Sequence, residues 1–182
     1  MRPRTWIGLA FLLLLLLGAG SAPGAPSPLP DAKIVVLKSL RSLQLFSQGR
    51  LLRVYKIGLG SRPVGAKRRQ GDRRTPEGMY RICLKNPRSQ YYLSLQVSYP
   101  NRADAERGLA DGLLTREEHA RIAAAERRGA PPPSNTRLGG DIFIHGNGSS
   151  SDWTWGCMAL EDEEMKEIFA LVPVGTPVEI RP

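Results

Sequence analysis

Two residues of this chain carry the chemistry of a nucleophile and its base: Cys157 and His145. They stand twelve positions apart in the stretch DIFIHGNGSSSDWTWGCMAL, Asp141 to Leu160. A thiol near its free pKa is mostly protonated at neutral pH. An imidazole within hydrogen-bond reach takes that proton or, once protonated itself, stabilises the thiolate. The sulfur can then attack a carbonyl carbon. Gly156, just before the cysteine, has no side chain to obstruct a substrate, and backbone N–H groups around a nucleophile are natural donors to an oxyanion. The spacing alone is equally compatible with a bland arrangement, in which Cys157 is a small buried hydrophobe and His145 a hydrogen-bonded histidine at a strand end.

The flanking residues say how such a pair would be held. Ile142, Phe143 and Ile144 form an apolar run typical of a buried strand, which delivers His145 and Gly146 to its end. The Gly, Ser and Asn residues that follow are too polar for a core and form a loop. That loop carries Trp153, Thr154 and Trp155 towards Gly156 and, by folding back, can return Cys157 to His145.

These residues resemble the signature of the L,D-transpeptidase catalytic domain, the YkuD family, in which a His-Gly pair precedes a Ser/Thr-x-Gly-Cys box. Here the box reads Thr154, Trp155, Gly156, Cys157. Upstream, Gly71 and Asp72 followed by Thr75, Pro76, Glu77 and Gly78 resemble the family's GDxxTPEG run. The stretches YYLSLQVSYPN and LGGDIFIHG look most like the YafK-type branch, so the resemblance covers roughly residues 32 to 181. Ala159 stands where many members have Arg, a departure that bears on donor-peptide specificity.

The resemblance implies a mainly β domain with a helical insertion (α+β), a YkuD-like β-sandwich or partly closed barrel. It also implies a cysteine enzyme acting on peptidoglycan stem peptides. Cys157 would form an acyl-enzyme, His145 would donate and accept the proton, and Gly156 would help to hold the oxyanion. Substrate would be bound by Thr75, Pro76, Glu77, Gly78, Gly146, Trp153, Thr154 and Trp155. The acceptor would be a second stem peptide or a wall-attached lipoprotein. Two alternatives stay open: a hydrolase of the same fold (an L,D-carboxypeptidase, or an amidase releasing wall-attached protein), and a non-catalytic cell-wall binding module. No cofactor is expected. Two histidines and two well-separated cysteines make no zinc pattern, so no metal is expected either.

Residues 1–25 read as a signal peptide. Arg2 and Arg4 precede an unbroken apolar run from Trp6 to Leu17, too short to span a bilayer comfortably, which takes about 20 apolar residues. A periplasmic location follows, with the N-terminal segment either cleaved or kept as an anchor. Residues 26–31 are a proline-rich linker, and 32–182 are one domain's worth of chain. Without Arg2 and Arg4 the chain keeps 24 basic residues against 17 acidic ones. The basic runs at Lys67 to Arg69 and at Arg73 with Arg74 are either solvated loop charges or a surface for anionic wall polymer or headgroups. Nucleic acid is excluded as a partner for an exported chain.

Strands are expected at Lys33 to Lys38, Ser42 to Ser47, Arg50 to Leu59, Met79 to Leu84, Tyr91 to Tyr99 and Pro177 to Ile180. The Tyr91 to Tyr99 segment alternates, with Leu93, Leu95 and Val97 on a core face and Ser94, Gln96 and Ser98 on a polar one. A helical insertion is expected at about 103–130, where Thr115 and Glu118 make a capping box and three prolines follow. It is read as a packing element, with a lid as the alternative. His119 falls on it at a surface position. Glu161 to Val172 reads as an amphipathic helix. Cys83, in an apolar strand, is expected to be sluggish, and a disulfide joining it to Cys157 is the competing arrangement for an exported chain.

Overall fold

The structure is a computed structural model describing residues 27–182, so the expected signal peptide lies outside the described residues. Lys33–Leu37 (β1), Ser42–Ser47 (β2) and Arg50–Lys56 (β3) form an antiparallel meander. Gln48 and Gly49, at the β2–β3 turn, both have positive φ (50° and 74°), as a two-residue type I′ hairpin requires.

Gly78–Ser89 (β4), Tyr92–Val97 (β5), Ile142–His145 (β6), Met158–Ala159 (β7) and Pro177–Arg181 (β8) complete one eight-stranded sheet of order β3-β2-β1-β8-β4-β5-β6-β7. The last strand runs parallel to β1 and antiparallel to β4, so the end of the chain joins the two halves of the sheet.

The two outer regions of that sheet then meet. Gly58, just past β3, exchanges both backbone hydrogen bonds with Ala159 of β7, at 2.9 and 2.8 Å, and Gly60 bridges Thr154. The sheet thus curls into a half-barrel. Its interior is filled by alternating residues such as Ile34, Val36, Leu43, Leu45, Ile82, Leu95 and Ile144, all fully buried. Each such side chain contributes about 1.5–3 kcal/mol by leaving water. A one-residue slip would turn a strand's whole set outwards, so the register is strongly specified.

The insertion is two helices rather than one, Arg102–Ala110 (α1) and Arg116–Arg127 (α2), each opened by a capping box, Asn101 with Asp104 and Thr115 with Glu118. Ala105, Leu114, Ile122 and Leu138 give it a small core of its own. Buried Asp104 ties it to the sheet by accepting from the Tyr80 hydroxyl at 3.0 Å and from Arg107 at 2.7 Å. None of its residues lines the cavity at Cys157. Asp162–Leu171 (α3) lays Met165 and Ile168 on the main core. Among the described residues no helix is long and apolar enough to cross a membrane.

Candidate active site

The pairing of β6 with β7 brings the two reactive residues together. Ile144 pairs with Met158 and His145 with Ala159, which sets Phe143 beside Cys157, and the Phe143 N–H donates to the thiol sulfur at 3.4 Å. Side chains two apart on a strand share a face, so Phe143 and His145 lie on one face with the thiol alongside. On the neighbouring strand Ser94 faces His145. Together with Asn86 and Tyr91 these groups line a cavity of about 420 Å³ containing both Cys157 and His145. The Tyr91 to Tyr99 segment puts Ser94, Gln96 and Ser98 on its polar face. All three are buried, and Ser94 forms part of the cavity wall.

His145 is only 3% exposed, less than expected for a strand-end residue facing a polar loop. Its Nδ1 lies 2.7 Å from the Gly146 carbonyl oxygen. A carbonyl can only accept, so Nδ1 carries the hydrogen and Nε2 is left as the basic nitrogen. Tyr91 stacks on the ring, with centroids 4.7 Å apart and planes 28° apart, while Trp153 meets it edge-on at 5.6 Å. The Trp153 indole N–H is anchored on the Gly148 carbonyl at 3.1 Å. Burial lowers the imidazole pKa below its ordinary value, against the opposing pull of the Gly146 carbonyl. At neutral pH the ring is uncharged.

The Cys157 thiol is half-buried and unbridged. Its S–H donates to the Asp141 carbonyl at 3.6 Å, and His145 is not among its hydrogen-bond partners. Burial pushes the thiol up to about 11; the Phe143 N–H and the Lys67 charge pull it down, and the Asp141 carboxylate pushes it up. The resting pair is therefore a neutral thiol beside a neutral imidazole. The direct bond expected from the spacing, and with it a thiolate stabilised by His145, is not made in this state. Cys83 is also free and buried, its thiol on the Gln96 carbonyl at 3.4 Å, so the disulfide alternative is not what forms.

A family model described as the L,D-transpeptidase catalytic domain, YkuD, matches residues 31–180. The chain belongs to the YkuD L,D-transpeptidase family. Over 81 residues, 41% of this chain and 33% of the relative, it is 37% identical to YafK of Escherichia coli strain K12. The helical cell shape determining protein Pgp2 of Campylobacter jejuni shares the fold, with a TM-score of 0.57 and 21% identity over 83% of this chain and 47% of that one. Bd1075 of Bdellovibrio bacteriovorus does so with a TM-score of 0.54 and 20% identity, over 84% and 48%. The chain thus spans about a third of its curated relative and about half of these two structures.

Several residues expected to bind substrate in this L,D-transpeptidase domain make contacts within the fold. Thr75 is fully buried, with its hydroxyl oxygen accepting from the Gly60 N–H at 3.1 Å. Pro76 is buried too, and Glu77 is paired with buried Lys38 at 2.7 Å. Gly78 begins β4 on Ile180. None of the four lines the cavity, so the run does not form the expected groove wall there. The residue before the run, Arg74, abuts the nucleophile turn: a Cβ on Gly156 would stand 2.6 Å from its carbonyl oxygen, and Gly156 has φ +131°. Glycine is needed for this close approach and this backbone.

Thr154 is likewise internal. Its hydroxyl donates to the Cys157 carbonyl at 2.8 Å and accepts the Gly156 N–H at 3.1 Å, latching the turn and occupying the N–H expected to face an oxyanion. Gly146 serves through the carbonyl that orients His145. Trp155 is 68% exposed beneath Arg73, whose guanidinium lies 4.7 Å from the ring centroid.

Tyr91 was not singled out as a site residue, because its stacking on His145 depends on pairing between strands distant in sequence. The alternation of apolar and polar residues over Tyr91 to Tyr99 was the signal available. Among the described residues no group of three or more His, Cys, Asp or Glu is placed to hold a metal ion.

Proposed function

We propose that this chain is an exported cysteine enzyme that carries out L,D-transpeptidation on peptidoglycan stem peptides through a Cys157 acyl-enzyme. The observation that carries the reading is the shared cavity, in which a free thiol and a histidine with an unprotonated Nε2 face one space. Family membership supplies the substrate class. Arg2, Arg4 and the apolar run behind them support export to the periplasm.

The chemistry follows from the neutral pair. When substrate enters, the S–H leaves the Asp141 carbonyl, His145 Nε2 takes the proton, and Sγ bonds to the carbonyl carbon of an L-centre next to a D-residue. The Cys157 N–H has no hydrogen-bond partner among the described residues and is the donor assigned here to the oxyanion, in place of the Gly156 N–H. Collapse breaks the C–N bond, and the proton on Nε2 passes to the leaving amine. An acceptor amine, from a second stem peptide or a wall-attached lipoprotein, then gives its proton to Nε2 and attacks the thioester; the C–S bond breaks, and the departing Cys157 thiolate takes the proton back from Nε2.

Incubating the purified protein with defined muropeptides and weighing the products tests this reading. Cross-linked or amine-exchanged masses are expected. Masses gaining only water identify a hydrolase of the same fold, and unchanged muropeptides that stay bound identify a binding module.

A further inference from the structure

Beside the nucleophile turn lies a second concavity, of about 470 Å³, lined by Arg62, Arg68, Arg69 and Arg74 around Asp72. The carboxylate of Asp72 does not neutralise these arginine side chains. Its two oxygens accept from Lys67 Nζ at 2.8 Å and from the backbone N–H groups of Arg68, Arg69 and Arg74 at 2.7, 3.0 and 3.1 Å. Asp72 therefore organises the loop from within, and burial, which alone would raise its pKa, is outweighed by Lys67 and those three N–H groups.

The four guanidinium groups have no carboxylate partner among the described residues. Arg41, Arg53 and Arg107, by contrast, are paired, with Asp152, Glu167 and Asp104. Four unpaired cations lining one polar hollow form a host for oxyanions. The guanidinium fork matches a carboxylate or phosphate with two parallel hydrogen bonds.

The hollow also adjoins the chemistry. The Arg74 carbonyl abuts Gly156, the residue before Cys157, and the Arg73 guanidinium covers Trp155. The hollow and the cavity at Cys157 share no lining residue, so a strand held in both would have to cross the turn at Trp155. We propose that Arg62, Arg68, Arg69 and Arg74 form an anchor for the carboxylates of a peptide strand that reaches Cys157. This rests on the stem-peptide reading given above and adds to it the chemistry by which the strand is held. A membrane surface offers oxyanions too, but the contact of the Arg74 backbone with the nucleophile turn favours the strand that reacts there.

The test reads binding, which needs no turnover, so it is judged separately from the reaction itself. The full chain carrying Cys157→Ala is titrated with soluble stem-peptide fragments, with the same fragments amidated at their carboxylates, and with vesicles containing anionic phospholipid. The anchor predicts that free-carboxylate fragments bind at least tenfold more tightly than amidated ones, by an amount that falls as salt rises. Arg68→Gln with Arg69→Gln should lose that advantage, and Arg68→Lys with Arg69→Lys should recover only part of it, because charge returns without the fork. Arg116→Gln with Arg121→Gln, which removes equal charge from α2, should keep it. Equal binding of free and amidated fragments would overturn the proposal, as would an unchanged preference in the Arg68/Arg69 glutamine variant. Binding confined to vesicles would overturn it in favour of a lipid surface.

Discussion

The Gly146 carbonyl accepts the Nδ1 hydrogen of His145 at 2.7 Å, and this contact decides which nitrogen is left for the thiol. The donor and acceptor are neighbours in sequence, so the tautomer is set locally at the end of β6. The ring plane is set from further away, by Tyr91 and Trp153.

Tyr91 is accordingly a positioning residue. An aromatic pair contributes about 0.5–1.5 kcal/mol, so Tyr91→Ala should lower kcat roughly two- to tenfold. Uncovering the ring also relieves the burial that depresses its pKa, so the acidic limb of the kcat/KM profile should move to higher pH. Tyr91→Phe should retain both the rate and the limb. A profile that does not move in Tyr91→Ala would separate Tyr91 from the imidazole.

The thiol gives a second pH signature. Burial holds Cys157 at about 11, so its alkylation rate should still be rising well above pH 9. Removing the Asp141 carboxylate removes a negative charge that opposes the thiolate. Asp141→Asn should therefore lower the midpoint and speed labelling at pH 8, and asparagine also tolerates the φ of +53° found there. Peptide mapping should find Cys157 labelled ahead of Cys83: both thiols are raised to about 11, but only Cys157 opens on the cavity. An unchanged or higher midpoint in Asp141→Asn would contradict this electrostatic picture.

A third prediction concerns Thr75. Thr75→Val leaves the Gly60 N–H without its partner in the interior and should cost about 1–3 kcal/mol of stability, read by denaturant unfolding. The KM for stem peptide should stay as it was. A raised KM without loss of stability would return Thr75 to the substrate groove.

The contrast between Thr75 and His145 shows what could be read in the sequence. Strands with strict alternation, such as β2, the capping box at Thr115 and the amphipathic helix from Glu161 follow from local pattern, and the structure contains them. An apolar run ending at His145 and a glycine beside Cys157 likewise say which residues end up at one sheet edge. The role of Thr75 comes from its bond to Gly60, and that of Gly156 from its approach to the Arg74 carbonyl. Both contacts join loops that no periodicity links. The protonation state of the pair was hidden for a related reason. Burial of the thiol and imidazole is set by β5 and the loop carrying Trp153, and desolvation outweighs the partner effect expected from spacing.

The measurement that tests the central claim most directly is the intact mass of the protein, quenched in acid during turnover of a defined stem peptide. A thioester adduct of the acyl donor is predicted, mapping to Cys157 and absent in Cys157→Ala. In His145→Ala the adduct should form about 100- to 10,000-fold more slowly. Turnover that persists in Cys157→Ala, or an adduct mapping to Cys83, would contradict the account.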